Sequence, residues 1–93
     1  MSPGLQHHEI LFEGHVQGVG FRYTTDRIAQ NYTVTGTVRN LSDGRVELMA
    51  QGQSDEVARF LEAVRTRFEG HIRQETASVK PATDLCSTFS IIR

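Results

Sequence analysis

Three glycines fall within seven residues in Gly14-His15-Val16-Gln17-Gly18-Val19-Gly20, and Phe21-Arg22 follows directly. Before this stretch lies a short apolar run, Glu9-Ile10-Leu11-Phe12-Glu13, that suits a strand. After it, Phe21, Ile28 and Tyr32 recur at helical spacing, with Thr25 and Ala29 filling the same face. The segment is therefore a strand–turn–helix junction. Glycine allows the positive φ angles and close approaches that such a turn demands. A turn of this kind can aim several N–H groups inward as an anion cradle. The helix start adds unpaired N–H groups and a partial positive charge, and Arg22 adds a planar fork that matches phosphate oxygens.

The rest of the chain constrains what surrounds this junction. Val34, Gly36 and Val38 alternate with Thr35, Thr37 and Arg39, which predicts a second strand. Ser42-Asp43-Gly44 is a turn signal, and Val46, Leu48 and Ala50 continue as a third strand, so the pair reads as a hairpin. Gln51-Gly52-Gln53 breaks the alternation, and Ser54 is expected as the N-cap of a helix with Asp55 and Glu56 in its first turn. Val57, Phe60, Leu61, Val64 and Phe68 form its apolar stripe, with Gly70 placed to end it. Ile72 to Val79 alternates weakly and reads as a partly exposed strand, 80–84 as a loop, and Phe89 to Ile92 as a short final strand.

The order strand, helix, strand, strand, helix, strand predicts an α+β, ferredoxin-like βαββαβ split-βαβ sandwich. Two helices are expected on one face of an antiparallel sheet, with an additional short C-terminal strand. In that topology the first and second strands run parallel with the third between them, so their C-terminal ends are about 10 Å apart. The glycine loop and Arg39-Asn40 then share one edge of the sheet, and an anion in the loop sits within reach of Asn40.

With 93 residues the chain has room for one domain, expected over 9–93 behind a flexible lead-in of residues 1–8. A net charge of −1 argues against general nucleic-acid binding. No apolar run reaches the ~18–20 residues of a membrane-spanning helix, and the N-terminus lacks the basic and apolar regions of a signal peptide. The lone Cys86 fits a reducing, cytoplasmic setting. His7 and His8 have no acidic or cysteine cluster beside them and read as a solvated strand start, so no metal site is expected.

Gly14 to Arg22, followed by Gly36-Thr37-Val38-Arg39-Asn40 and Asp43-Gly44-Arg45-Val46-Glu47, resembles the acylphosphatase family from about Glu9 to Arg93. The resemblance implies hydrolysis of the carboxyl–phosphate anhydride of acyl phosphates without a cofactor. It implies catalytic roles for Arg22 and Asn40: the arginine binds the phosphoryl group and the asparagine orients the attacking water. The phosphate-binding loop is then His15, Val16, Gln17, Gly18, Val19 and Gly20, with the side chain of His15 at the loop surface. Phosphate or sulfate is expected as a competing anion, and the protein as a monomer. Thr37 stands where the family frequently has a tryptophan, a residue that packs near the site.

Duller readings exist for each group. The glycines can shape a tight turn, Arg22 can be a solvated helix residue, and Asn40 can lead the hairpin. The alternatives from other classes are an RNA-binding sheet and a non-catalytic acylphosphatase-like binding domain. The first needs stacking aromatics on the central strands, where this chain has Val46, Leu48 and Met49. The presence of both Arg22 and Asn40 argues against the second.

Overall fold

The computed structural model describes residues 5–81 and 88–92. The elements are β1 (Leu5–Gly14), α1 (Phe21–Ala29), β2 (Val34–Asn40), β3 (Val46–Gln53), α2 (Ser54–Arg67), β4 (Ile72–Pro81) and β5 (Phe89–Ile92). One five-stranded sheet runs β4-β1-β3-β2-β5, with both helices over one face. β3 lies between β1 and β2, and pairs antiparallel with each. The predicted split-βαβ arrangement therefore holds. The final strand departs from the expected antiparallel sheet. β5 pairs parallel with β2, matching Gly36 to Phe89 and Arg39 to Ile92, so the sheet is mixed.

Several boundaries move once tertiary pairing is seen. β1 begins at Leu5 rather than Glu9, because Gln6 to His8 are held on both sides, by β3 and by β4. Residues 5–8 of the expected lead-in are therefore strand. His7 is not solvated: it is 5% exposed, and its ring nitrogens lie 3.2 Å from Gln51 Oε1 and 3.2 Å from Glu9 Oε2. Lys80 and Pro81, expected in a loop, extend β4 against His7 and Gln6. Ser54 is the first helical residue, and Gln53 holds the cap position. α1 ends at Ala29, before Tyr32. Cys86 and residues 82–84 of the expected loop lie outside the described residues.

The core forms between sheet and helices because the apolar alternation of the strands meets the helical stripes. Ile10 and Phe12 of β1, Val38 of β2, and Val46 and Leu48 of β3 are fully buried against Val57, Phe60 and Val64 of α2. Burying each such side chain contributes about 1.5–3 kcal/mol. One aromatic group bears directly on the loop. Phe21, the first residue of α1, stacks on Phe68 at 4.3 Å between centroids and tilts against Phe12 at 5.3 Å. That anchor holds the start of α1, and with it the backbone of Arg22, over the C-terminal end of β1.

Candidate active site

Loop 15–20 is built by one buried plug and a series of backbone turns. Val16 is fully buried and pins the loop to the core, while His15, Gly18 and Gly20 are exposed. Gly20 caps α1 in the left-handed region, with φ +77° and ψ +20°, and Gly18 sits at φ +80°. A side chain at either position would strain the backbone. Gly14 meets a different demand, since a Cβ there would lie 2.3 Å from the His71 carbonyl oxygen. The chain leaves β1 through that contact, at the point where its register with β4 shifts.

The N–H groups of the loop divide into two sets. His15 N–H donates to the His71 carbonyl at 2.9 Å, so it is already taken, and the expected cradle shrinks by one residue. Its ring stacks on His71 at 5.9 Å, away from the cleft. Among the described residues, no backbone or side-chain acceptor takes the N–H groups of residues 16–20. α1 has no acidic residue in its first turn, so the partial positive charge at its N-terminus is not neutralised from within.

A cleft of about 270 Å³ opens at this edge of the sheet, lined by Val16, Gly18, Gly20, Phe21, Arg22, Tyr23, Asn40 and Ile91. It is small beside the ~300–1,000 Å³ typical of sites for larger ligands. The two motifs separated in sequence therefore meet at one cavity. Arg22 is half-buried and, among the described residues, has no acidic partner. Asn40 ends β2, and its side-chain Oδ1 is buried with no hydrogen-bond partner among the described residues. A buried acceptor left unpaired is costly, and at a cleft wall it can take an O–H from a small ligand or water. Gln17 and Val19 of the expected loop do not line the cleft.

Two lining residues were not picked out from sequence. Tyr23 is exposed, and its hydroxyl accepts a bond from Arg27 at 2.9 Å. Ile91 reaches the cleft because β5 adds parallel to β2, a pairing with no local signature. Phe21 is both core and wall. Thr37 lies elsewhere: it pairs with Met49 and Ser90 on the sheet face away from the helices, outside the cleft.

A sequence profile of the acylphosphatase family matches residues 8–91. The chain belongs to the acylphosphatase family. An acylphosphatase of Listeria welshimeri is 50% identical over 52 residues, which cover 56% of this chain and 56% of that protein. One from Staphylococcus aureus is 48% identical over 60 residues, covering 64% of this chain and 66% of that one. These matches thus span between about half and two thirds of the relatives' length. The crystal structure of acylphosphatase from Bacillus subtilis superposes with a TM-score of 0.86 at 32% identity, covering 95% of this chain and 99% of the other.

Proposed function

We propose that the cleft hydrolyses acyl phosphates to a carboxylate and inorganic phosphate. The observation that carries this reading is the meeting, in one small cleft, of an arginine, a loop of N–H groups and a buried amide oxygen that have no partners among the described residues. Family membership supports it. An acyl phosphate is a mixed anhydride, R–CO–O–PO₃²⁻, with a good carboxylate leaving group. Phosphoryl transfer asks the protein for positioning and charge stabilisation more than for covalent chemistry. The N–H groups of 16–20 and the Arg22 guanidinium hold the non-bridging oxygens and neutralise charge as it develops. Asn40 Oδ1 accepts a hydrogen bond from the attacking water and directs it at phosphorus. The P–O bond to the carboxylate breaks as the water oxygen bonds to phosphorus, and the phosphoryl oxygens take the water's proton.

No step here calls for a metal. Among the described residues, no three His, Cys, Asp or Glu side chains converge as a ligand set, and no helix is long and apolar enough to cross a membrane. The same reading has phosphate or sulfate compete for the cradle, with the protein acting as a monomer in the cytoplasm. The test is hydrolysis of benzoyl phosphate after exhaustive chelation, with inorganic phosphate as inhibitor. Turnover should survive EDTA, and inhibition should be competitive. Asn40→Ala should lower kcat by about 10²–10³, the usual cost of losing one preorganised polar group, and leave phosphate inhibition near the parent value. Phosphate binding without turnover in the parent would mark a binding domain instead.

A further inference from the structure

The cradle and the turn that follows Asn40 are distant in sequence, and one side chain ties them together. The Gln17 side-chain Nε2 donates to the Leu41 carbonyl at 2.8 Å and to the Arg45 carbonyl at 2.9 Å, partners 24 and 28 residues away. Those carbonyls stand at the two ends of the β2–β3 turn. Leu41 N–H donates to Arg45 O at 2.8 Å, and Gly44 N–H to Leu41 O at 3.2 Å. A carbonyl oxygen carries two lone pairs, so each of the two accepts a backbone N–H and the glutamine together. Both hydrogens of the Gln17 amide are thereby used. On one side of Gln17 is the buried plug Val16, and on the other is Gly18 of the cleft wall. Leu41, in turn, is joined by its peptide bond to Asn40.

We infer that Gln17 is a positioning residue. It does not line the cleft; its side chain sets the separation between the anion cradle and the Asn40 amide, and so the line of attack on phosphorus. The inference rests on the hydrolytic reading above and goes beyond it in saying what holds the two halves of the site in register. Attack in line tolerates little error: a displacement of about 1 Å can lower rates about 100-fold. Binding of the anion is less sensitive, because the loop N–H groups and Arg22 lie on one side of the clasp. Loss of Gln17 should therefore reduce the chemical step and spare affinity.

The experiment is a double-mutant cycle. Gln17→Met keeps the length of the side chain and its apolar stem but removes the donor; Asn40→Ala removes the group it positions. We expect Gln17→Met to lower kcat about 10- to 100-fold, with KM and phosphate inhibition changed by less than about 3-fold. In the Asn40→Ala background the same substitution should change kcat by less than about 3-fold, since the two residues act as a unit. A folded Gln17→Met enzyme with parental kcat overturns the inference. So does an equal loss in both backgrounds, which would place its action somewhere other than Asn40. Should the parent hydrolyse no acyl phosphate, the proposed activity itself fails, and the clasp is then judged by hydrogen–deuterium exchange. The hydrogen-bonded amides of His15 on one side of the clasp and of Leu41 and Gly44 on the other should exchange faster in Gln17→Met; unchanged protection at these amides refutes the clasp.

Discussion

The two helices occupy equivalent places in the two βαβ halves, yet they begin in opposite ways. α2 has Asp55 and Glu56 in its first turn. The Glu56 carboxylate accepts bonds from the Arg59 guanidinium at 2.7 Å and from the Thr33 N–H at 2.8 Å. α1 begins at a left-handed glycine, has no carboxylate in its first turn, and places a cation, Arg22, at its second residue. Every helix N-terminus carries unpaired N–H groups and a partial positive charge. α2 answers that charge with its own carboxylates. α1 supplies no carboxylate of its own and adds a cation, which on the proposed reading leaves the charge for an external anion to complete. The lengths follow the same division, with 14 residues in α2 and 9 in α1. On the proposed reading, one topology is used once for cohesion and once for binding.

The largest effect should come from removing the added cation. Arg22→Ala deletes charge-assisted hydrogen bonds worth about 1.5–3 kcal/mol each and should abolish both phosphate binding and turnover, measured by inhibition and by hydrolysis of benzoyl phosphate. Thermal unfolding should stay close to the parent, because the side chain is half-buried and has no ion pair among the described residues. Retained phosphate inhibition in that variant would mean that the N-terminus of α1 binds anions without Arg22, and the contrast between the helices would lose its main term.

A middle-sized effect should follow from making α1 resemble α2. Tyr23 is 59% exposed at the rim of the cleft, so Tyr23→Glu installs a first-turn carboxylate without disturbing the core. One charge at a helix terminus is worth about 0.3–1 kcal/mol, and phosphate should bind roughly 2- to 5-fold more weakly. Arg27 lies one turn on and already bonds the Tyr23 hydroxyl, which will blunt the new charge in part. The loss should shrink as salt is raised, since exposed charges are screened. A loss independent of salt would point to the missing aromatic ring instead.

Much of the candidate site's geometry is legible in the chain because its parts are backbone-driven. Gly18 and Gly20 mark positive φ, Arg22 follows at the helix start, and the split-βαβ order brings Asn40 to the same edge. The α2 stripe is equally plain, since Val57, Phe60, Leu61 and Val64 are all buried. What escaped was set by partners far off in sequence. Gln6, His7 and His8 are polar, and become strand only because β3 and β4 flank them. Ile91 enters the cleft through a parallel pairing that has no periodic signal of its own. The role of the Gln17 side chain depends on two carbonyls in a distant turn. The His15 N–H, expected in the cradle from sequence, donates instead to the His71 carbonyl, a partner far along the chain.

The smallest effect should fall on stability alone, and it isolates the other half of the comparison. The Glu56 carboxyl is held below its ordinary range first by the hydrogen bond from Arg59, then by the Thr33 N–H. A carboxyl whose pKa is lower folded than unfolded contributes stability above the unfolded value, about 4.3, and that contribution is lost as pH falls through the folded value. Asp43 behaves alike, through the backbone N–H of Arg45 and then its side chain. Glu56→Gln keeps an amide oxygen for Thr33 but removes the charge. It should lower the Tm slightly at about pH 7, and the gap to the parent should narrow as the pH falls below the ordinary carboxylate range and through the depressed folded value. Turnover at neutral pH should not change, because Glu56 does not line the cleft. A Tm gap that persists in acid would show that the charge is not what α2 uses, and a fall in kcat would show that the two helix starts are coupled after all.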